Sequence, residues 1–544
     1  MFYITKTDES EDNSHSYNYC NGWSFIKDNC QSISIGNESF LLFGIAQKNN
    51  NPLKISDYVF TNNPLSNIEK DLKSCNGYFC FIHISDSVSI YTSLYCCMEI
   101  FYFVSDGECI ITSDYRMLIQ SSKSTEIDIN YCNHFINNKD GLTDLTFYKK
   151  LKKVHSGTVY KFNKNGGIEI NSFFPEKTSL SITDIIKEAV EIISKKHSDI
   201  NLFLSGGLDS TVLFLSLKES EIDFTCYNIA PYEKEKEIDS EIEDVKYLCN
   251  KYNVSNYILS NNISIVSNPF NKDSNINSPN YIKINEIETI NNNEYIKKSA
   301  SPLSLFISGH GGDSVFVQNP SSRIVKDCIL RLKPFLALIK ARELSMLKGR
   351  SLFEIFAHAF SRTGDTNPSP VWIDELPIIN DCIHPWIKNE NKNTIRYQYI
   401  KDLIILISGS QFLSHNSSSC IYPYLFNKTI SYQLNFPYEL TFNRYFDRAN
   451  IREEAMSKYN CSLLYKKKKR SSSVLLFSLM VKNVKFFKEI LYENKDFLDK
   501  INVNYDSLIE SIDYNSKISI QHDHYNILRL IKLTLYKKIL EGVK

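Results

Sequence analysis

Ten residues constrain this chain more than any others: Leu202-Phe203-Leu204-Ser205-Gly206-Gly207-Leu208-Asp209-Ser210-Thr211. A short apolar run leads into two glycines and then into helix-forming residues, a pattern of buried strand, tight turn and helix start. Glycines let backbone N–H groups come close to an anion, and the helix N-terminus adds partial positive charge. Ser205, Ser210 and Thr211 add hydroxyl donors. Asp209 would repel a phosphate unless a divalent cation bridged the two, so the loop predicts Mg²⁺. The plainer alternative is a strand–turn–helix in which Asp209 only caps the helix.

The surrounding pattern alternates strand and helix. A helix is expected over 185–194 with Thr183 or Asp184 as its cap, a strand over 200–204, and a helix over 211–219. A strand over 224–229 follows, then an amphipathic helix with Ile238, Ile242, Val245 and Leu248 on one face, and a strand over 257–259. Such alternation predicts a parallel sheet with right-handed crossovers. A polar, Asn-rich insert (about 261–300) precedes one more expected strand, 303–307, and beyond 321 the sequence reads as mainly helical. That last strand runs into Ser308-Gly309-His310-Gly311-Gly312-Asp313. Ligands of open α/β sheets bind at the carboxyl ends of strands. Asp313 is placed to give a second carboxylate for the metal, and Gly309, Gly311 and Gly312 clear space for a nucleotide beside Ser205, Gly206, Gly207, Asp209 and Ser210. His310 is the group there able to exchange protons near neutral pH.

Residues 1–175 read differently. Apolar runs such as Phe40-Leu41-Leu42-Phe43, Gly77-Tyr78-Phe79-Cys80-Phe81-Ile82 and Ile100-Phe101-Tyr102-Phe103-Val104 are separated by turn signals such as Asn163-Lys164-Asn165-Gly166-Gly167. Layered antiparallel sheets or a sandwich are expected there. At 544 residues the chain exceeds what one core supports, so a front domain over 1–175 and a second over 180–544 are expected. Lys plus Arg equals Asp plus Glu at 62 each, which argues against wholesale capture of nucleic acid. Fourteen cysteines with no CxxC pair, several in apolar runs, are expected as buried free thiols of a cytoplasmic protein. No apolar stretch is long enough to span a bilayer.

No Gly-Lys dipeptide occurs, so a Walker A loop is absent. The SGGLDS segment resembles instead the loop of ATP enzymes that release pyrophosphate. Together with SGHGGD it resembles the synthetase domain of the asparagine synthetase B superfamily. Asn76-Gly77-Tyr78-Phe79, Ser113-Asp114-Tyr115-Arg116 and Val154-His155-Ser156-Gly157 look like landmarks of that superfamily's glutaminase-like front domain. The resemblance implies an α+β, Ntn-type layered front domain, an α/β parallel-sheet ATP-pyrophosphatase domain and a helical C-terminal region. Such glutaminases use a cysteine directly after the initiator Met; here that position is Phe2, so no glutamine hydrolysis is expected. The stretches Gly311-Gly312-Asp313-Ser314-Val315-Phe316-Val317-Gln318-Asn319-Pro320-Ser321, Phe446-Asp447-Arg448-Ala449-Asn450-Ile451-Arg452 and Lys466-Lys467-Lys468-Lys469-Arg470-Ser471-Ser472-Ser473 are similar to those of microcin-type lasso peptide cyclases. The lysine run reads alternatively as a solvated basic patch or a surface for an acidic partner.

That resemblance implies ATP- and Mg²⁺-dependent activation of an Asp or Glu side chain in a precursor core peptide. The peptide's own α-amine then closes a macrolactam, with AMP and pyrophosphate released. A leader peptidase is the implied partner. His310, oriented by Glu343, is implied as the proton acceptor, and Lys469 as the cation that stabilises developing charge. Two rival readings stand beside this one: an amide ligase acting on a small molecule, and a non-catalytic ATP-binding scaffold.

Overall fold

The computed structural model describes residues 1–6, 18–49, 51–105, 107–231, 236–261, 277–282, 304–361, 370–378, 382–410, 419–466, 473–515 and 523–542. Its front part holds two antiparallel sheets. The six-stranded sheet runs Lys152–Lys153, Phe101–Ser105, Glu108–Thr112, Phe2–Lys6, Trp23–Lys27, Asn18–Cys20. The seven-stranded sheet runs Ile168–Ser172, Thr158–Asn163, Ser87–Thr92, Asn76–Ile84, Glu38–Lys48, Gln31–Ile35, with Asn51–Pro52 paired to Glu38–Lys48.

Strand periodicity builds the layers. In Glu38–Lys48, Leu41, Phe43 and Ile45 join the core shared with Phe2, Ile4, Trp23 and Phe25 of the other sheet. Phe40, Leu42 and Ala46 point the opposite way, onto Ile68 and Leu72 of the helix Pro64–Ser74. The six-stranded sheet divides likewise. Tyr102, Cys109 and Ile111 face inward, while Phe101, Phe103 and Ile110 pack on helices of the C-terminal region. Side chains alternate across a strand, so two buried faces per sheet require apolar residues at consecutive positions. The runs Phe40–Phe43 and Tyr78–Ile82 meet that requirement. The front part is therefore layered helix–sheet–sheet–helix, as expected.

Phe2 is a core residue. Its ring is fully buried, 5.5 Å from that of Phe43, and its N–H donates to Ser113 Oγ at 3.1 Å. All fourteen cysteines are free thiols, most of them buried.

The second sheet system has five parallel strands in the order Asn256–Asn261, Thr225–Pro231, Ile200–Phe203, Leu305–Ser308, Ser419–Ile421. The helix before the loop spans Ile182–Ser194, and Ser181 caps it by accepting from Asp184 N–H, in place of Thr183 or Asp184. The helix after the loop begins at Leu208, three residues before the expected start, because Gly207 keeps an extended backbone and the helix opens at once. Leu208, Val212, Leu213, Phe214, Leu215 and Leu217 are all buried, so that helix is enclosed on every side. Ser419–Ile421 is a strand within the part read as helical; three residues carry no periodicity to read. Most of the Asn-rich insert lies outside the described residues. Its described part holds Asn277, whose side chain accepts from Tyr115 N–H and donates to Ser113 O, both at 3.0 Å.

Beyond Ser473 the chain returns to the front. The helices Ser473–Glu493, Lys495–Lys500, Tyr505–Asn515 and His524–Glu541 cover the outer face of the six-stranded sheet. Arg529 fastens the last of them. It is buried, its guanidinium lies 3.9 Å from the Phe135 ring, and it bonds Asp140 Oδ1 at 2.5 Å and Asn280 Oδ1 at 3.2 Å. No described helix is long and apolar enough to cross a membrane.

Two outcomes test this packing. Arg529→Met leaves the Asp140 carboxylate buried without its cation, and is expected to lower stability in urea titrations by about 3–5 kcal/mol. His384 is buried, with Nδ1 accepting from Trp386 N–H at 3.2 Å and Nε2 donating to Ser156 O at 3.1 Å. Burial above all, with Lys153 adding repulsion against the pull of Ser156 O, lowers its pKa from 6.5 to about 3. The folded state thus resists a proton that the unfolded chain accepts. Stability is expected to hold above the unfolded value and to fall below it, by up to about 1.4 kcal/mol per pH unit. His384→Gln should flatten that acid limb of the urea midpoint.

Candidate active site

The parallel sheet changes direction of growth at Ile200–Phe203. Thr225–Pro231 lies on one side and Leu305–Ser308 on the other, with Phe203 paired to Ser308. Loops leaving adjacent strands at such a point open a crevice at their carboxyl ends. Both glycine clusters leave there side by side. The first is held by its serines: Ser210 Oγ accepts from Ser205 N–H at 3.2 Å and donates to Gly207 O at 3.2 Å, and Ser205 Oγ lies 3.1 Å from Ser210 Oγ. The second packs directly on Asp209. A Cβ on Gly312 would sit 2.6 Å from Asp209 Oδ1, and one on Gly311, at φ 91°, would meet Leu425 at 2.6 Å. Glycine is needed at both positions, one for close approach and one for its backbone.

Asp209 and Asp313 converge on one cation. Arg448 Nη1 bonds Asp209 Oδ2 at 2.8 Å and also Asp313 Oδ1. Side-chain exposure is 3% for Arg448 and 7% for Asp209, whereas Asp313 keeps 36% and faces outward. Burial works against the guanidinium charge, but Asp209, Asp447 and Asp313 outweigh it and raise the Arg448 pKa above its ordinary value. Arg448 itself adopts a left-handed backbone at φ 49°, a conformation that costs a non-glycine residue about 1–3 kcal/mol and must be held by its surroundings. Tyr424 adds a bond from its hydroxyl to Asp209 O at 2.7 Å.

Among the described residues, no group of three or more His, Cys, Asp or Glu side chains gathers into a ready metal cage. Two converging carboxylates nevertheless fit Mg²⁺, which takes one or two protein carboxylates and completes its shell with phosphate oxygens and water. Asp209 and Asp313 are the residues that would hold it.

His310 has a different partner from the one expected. Its Nε2 lies 2.7 Å from Ser410 Oγ, and its ring packs edge-on to Tyr422 at 4.8 Å. Ser410 Oγ already donates to Leu406 O at 2.7 Å, so the histidine nitrogen must be the donor and a neutral ring keeps its lone pair at Nδ1. Glu343 does not orient it. That carboxylate bonds Lys340 Nζ at 2.6 Å on the helix Pro334–Lys348, an i,i+3 pair. Sequence distance suggested the pairing, and the helix turns Glu343 onto its own lysine instead.

Lys469 lies outside the described residues, as do Lys467, Lys468 and Arg470. Lys466 is described and pairs with Asp244. A Cβ on Gly206 would sit 3.5 Å from Asp244 Cβ, so the lysine run begins beside the first glycine loop. Arg452 holds that stretch by donating to Leu464 O at 2.6 Å and Lys466 O at 2.9 Å, with its other nitrogen 3.2 Å from Asp447 Oδ1. The segments SGGLDS, SGHGGD, FDRANIR and the start of the lysine run therefore meet at one place. Tyr424 and Ser410 were not singled out from sequence, and Arg448 and Arg452 only as members of the stretch Phe446–Arg452, with no role assigned. Only the Asp-Arg pair within Phe446–Arg452 carried a signal, and nothing local marked Tyr424 or Ser410.

No family model matches the chain. It is similar to the microcin J25-processing protein McjC of Escherichia coli, at 27% identity over 430 residues, covering 76% of each chain. Among solved structures it overlays with an allosteric regulatory enzyme of purine biosynthesis at a TM-score of 0.22 and 8% identity, covering 48% of this chain and 73% of that one. The glutamine phosphoribosylpyrophosphate amidotransferase of B. subtilis, complexed with ADP and GMP, overlays at 0.21 and 10% identity, covering 58% and 70%. The similarity to a microcin-processing protein agrees in kind with the resemblance that the motifs carry.

The loop contact gives a test. Gly312→Ala drives a methyl group into the Asp209 carboxylate. Turnover with ATP, which the SGGLDS resemblance implies, is expected to fall at least about a hundredfold, the scale of losing a placed electrostatic group. The urea midpoint should move little.

Proposed function

We propose that this protein is an ATP-dependent amide-forming synthetase that closes a macrolactam in a lasso precursor peptide. The observation that carries the reading is the convergence of Asp209 and Asp313, from two neighbouring strand ends, on the single cation of Arg448. Two carboxylates gathered at a crevice floored by glycine loops suit a bound nucleotide triphosphate with its metal.

In this reading Ser205, Gly206, Gly207 and Ser210, with Gly309, Gly311 and Gly312, cradle ATP, and Asp209 and Asp313 hold Mg²⁺. Mg²⁺ held there would supply neutralising charge for the phosphates. The Asp or Glu side chain of the peptide attacks the α-phosphorus, pyrophosphate leaves, and an acyl adenylate results. The peptide's α-amine then attacks the acyl carbon and AMP departs. His310, fixed by Ser410, accepts the amine proton at Nδ1. Lys469 steadies the charge that builds on phosphate and acyl oxygens. The protein's main task is positioning amine and carbonyl while excluding water.

Residues 1–175 act as a structural and docking unit without glutaminase chemistry, and residues 180–544 form the synthetase. A leader peptidase of the same pathway is the partner, and the cytoplasm is the compartment.

Purified protein with ATP, Mg²⁺ and a candidate core peptide should release AMP and pyrophosphate in step with peptide closure, and no glutamate from glutamine. ADP and phosphate as products would remove the mechanism; AMP release with a small acid but no peptide would favour a small-molecule ligase. Asp209→Ala, Asp313→Ala and Lys469→Ala are each expected to lose roughly a hundred- to thousandfold in rate, about 3–4 kcal/mol per group, while Lys467→Ala stays near wild type. His310→Ala should still form adenylate and close the ring slowly.

A further inference from the structure

We propose that the outward face of the helices Arg323–Leu330, Pro334–Lys348 and Leu352–Phe360 docks this protein peripherally on an anionic lipid bilayer. The three helices pack together over a small core that includes Ile324, Ala337, Ala341, Leu344 and Ile355. Their opposite sides carry apolar residues where a solvated helix carries polar ones. On Pro334–Lys348 the residues Phe335, Leu338, Ile339, Arg342 and Met346 follow helical spacing along one exposed stripe, opposite buried Ala337, Lys340, Ala341 and Leu344. Leu352–Phe360 repeats the arrangement with Phe353, Ala357 and Phe360 outward and Ile355 and Ala359 inward. Leu332, Phe335 and Phe353 are 89%, 84% and 83% exposed. Scattered exposed apolar residues need no explanation, but a contiguous set of this kind marks a contact surface.

Charge selects the occupant. Residues 323–360 hold eight Lys and Arg against three Asp and Glu, a surplus of five in a chain whose formal net charge is zero. The three acids are already engaged: Asp327 by Arg331, Glu343 by Lys340, and Glu354 in the cap of its own helix at Ser351. Lys326, Lys333 and Arg342 enter no ion pair among the described residues. A second copy would set one basic surplus against another. Leu332, Phe335 and Phe353 stand nearly fully exposed within that set, and a fluid acyl layer accepts such projections without a matched surface. Apolar points amid Lys and Arg are the composition by which interfacial helices bind anionic lipid.

The test is flotation of the full chain with vesicles containing about one-third phosphatidylglycerol, against pure phosphatidylcholine, with each Lys or Arg at the surface adding roughly fivefold to binding. Wild type should float with the anionic vesicles and be released as salt rises toward about 0.5 M, where surface charges are screened. Phe335→Ser/Phe353→Ser and Lys333→Gln/Arg342→Gln should each bind at least about tenfold more weakly. Both pairs are exposed, so circular dichroism should be unchanged, and ATP turnover in solution should equal wild type, which separates this result from the catalytic proposal. Absence of flotation, equal binding by the variants, or a wild-type dimer that Phe335→Ser/Phe353→Ser converts to monomer would overturn it.

Discussion

A single guanidinium joins the two glycine loops of this protein. Arg448 reaches from the start of the helix Ala449–Tyr459 to carboxylates on loops that leave different strands; its contact with Asp209 is shielded from water, while Asp313 stays partly exposed. Two carboxylates this close repel each other unless a cation lies between them, and burial makes the repulsion stronger. The arginine therefore sets how far apart the loops stand, and its left-handed backbone shows that the fold bears a cost to keep it there. The Asp447–Arg452 contact then extends the restraint to the segment leading into the lysine run.

How much of this was legible follows from where each signal resides. The glycine turn after Ile200–Phe203 and the parallel sheet were readable because strand, glycines and helix lie consecutively in the chain. The layered front was readable because doubly buried strands demand unbroken apolar runs, as Phe40–Phe43 supplies. What joins distant segments was not. Arg448 meets Asp209 across 239 positions, and Ser410 meets His310 across 100. Ser410 is one of many serines and Arg448 one of twelve arginines, so nothing at either position announced its partner. The mistaken pairing of Glu343 has the same origin. Sequence separation fixed no direction for the side chain, whereas helical geometry placed Lys340 one turn away.

Phe2 shows how a local change can leave a layered fold intact. A buried ring there packs on Phe43 between the two sheets, and the strand bonds from Phe2 to Ser113 continue the ladder. The position contributes to cohesion of the core, and the front sheets persist as the platform on which the last helices lie. Asn427 and Lys428 link the same platform to the second sheet system, accepting from Leu94 N–H and donating to Asn76 Oδ1.

The return of residues 473–541 onto the six-stranded sheet has a consequence for biosynthesis. Phe101 and Phe103 leave the ribosome roughly 380 residues before Phe487 arrives to cover them, an interval of about 20–80 s at usual elongation rates. Throughout that interval the nascent chain presents an uncovered aromatic sheet face. Premature termination between Asp313 and Phe487 would leave that face uncovered for good, so a truncated product that kept both glycine loops would still be a substrate for chaperones and proteases.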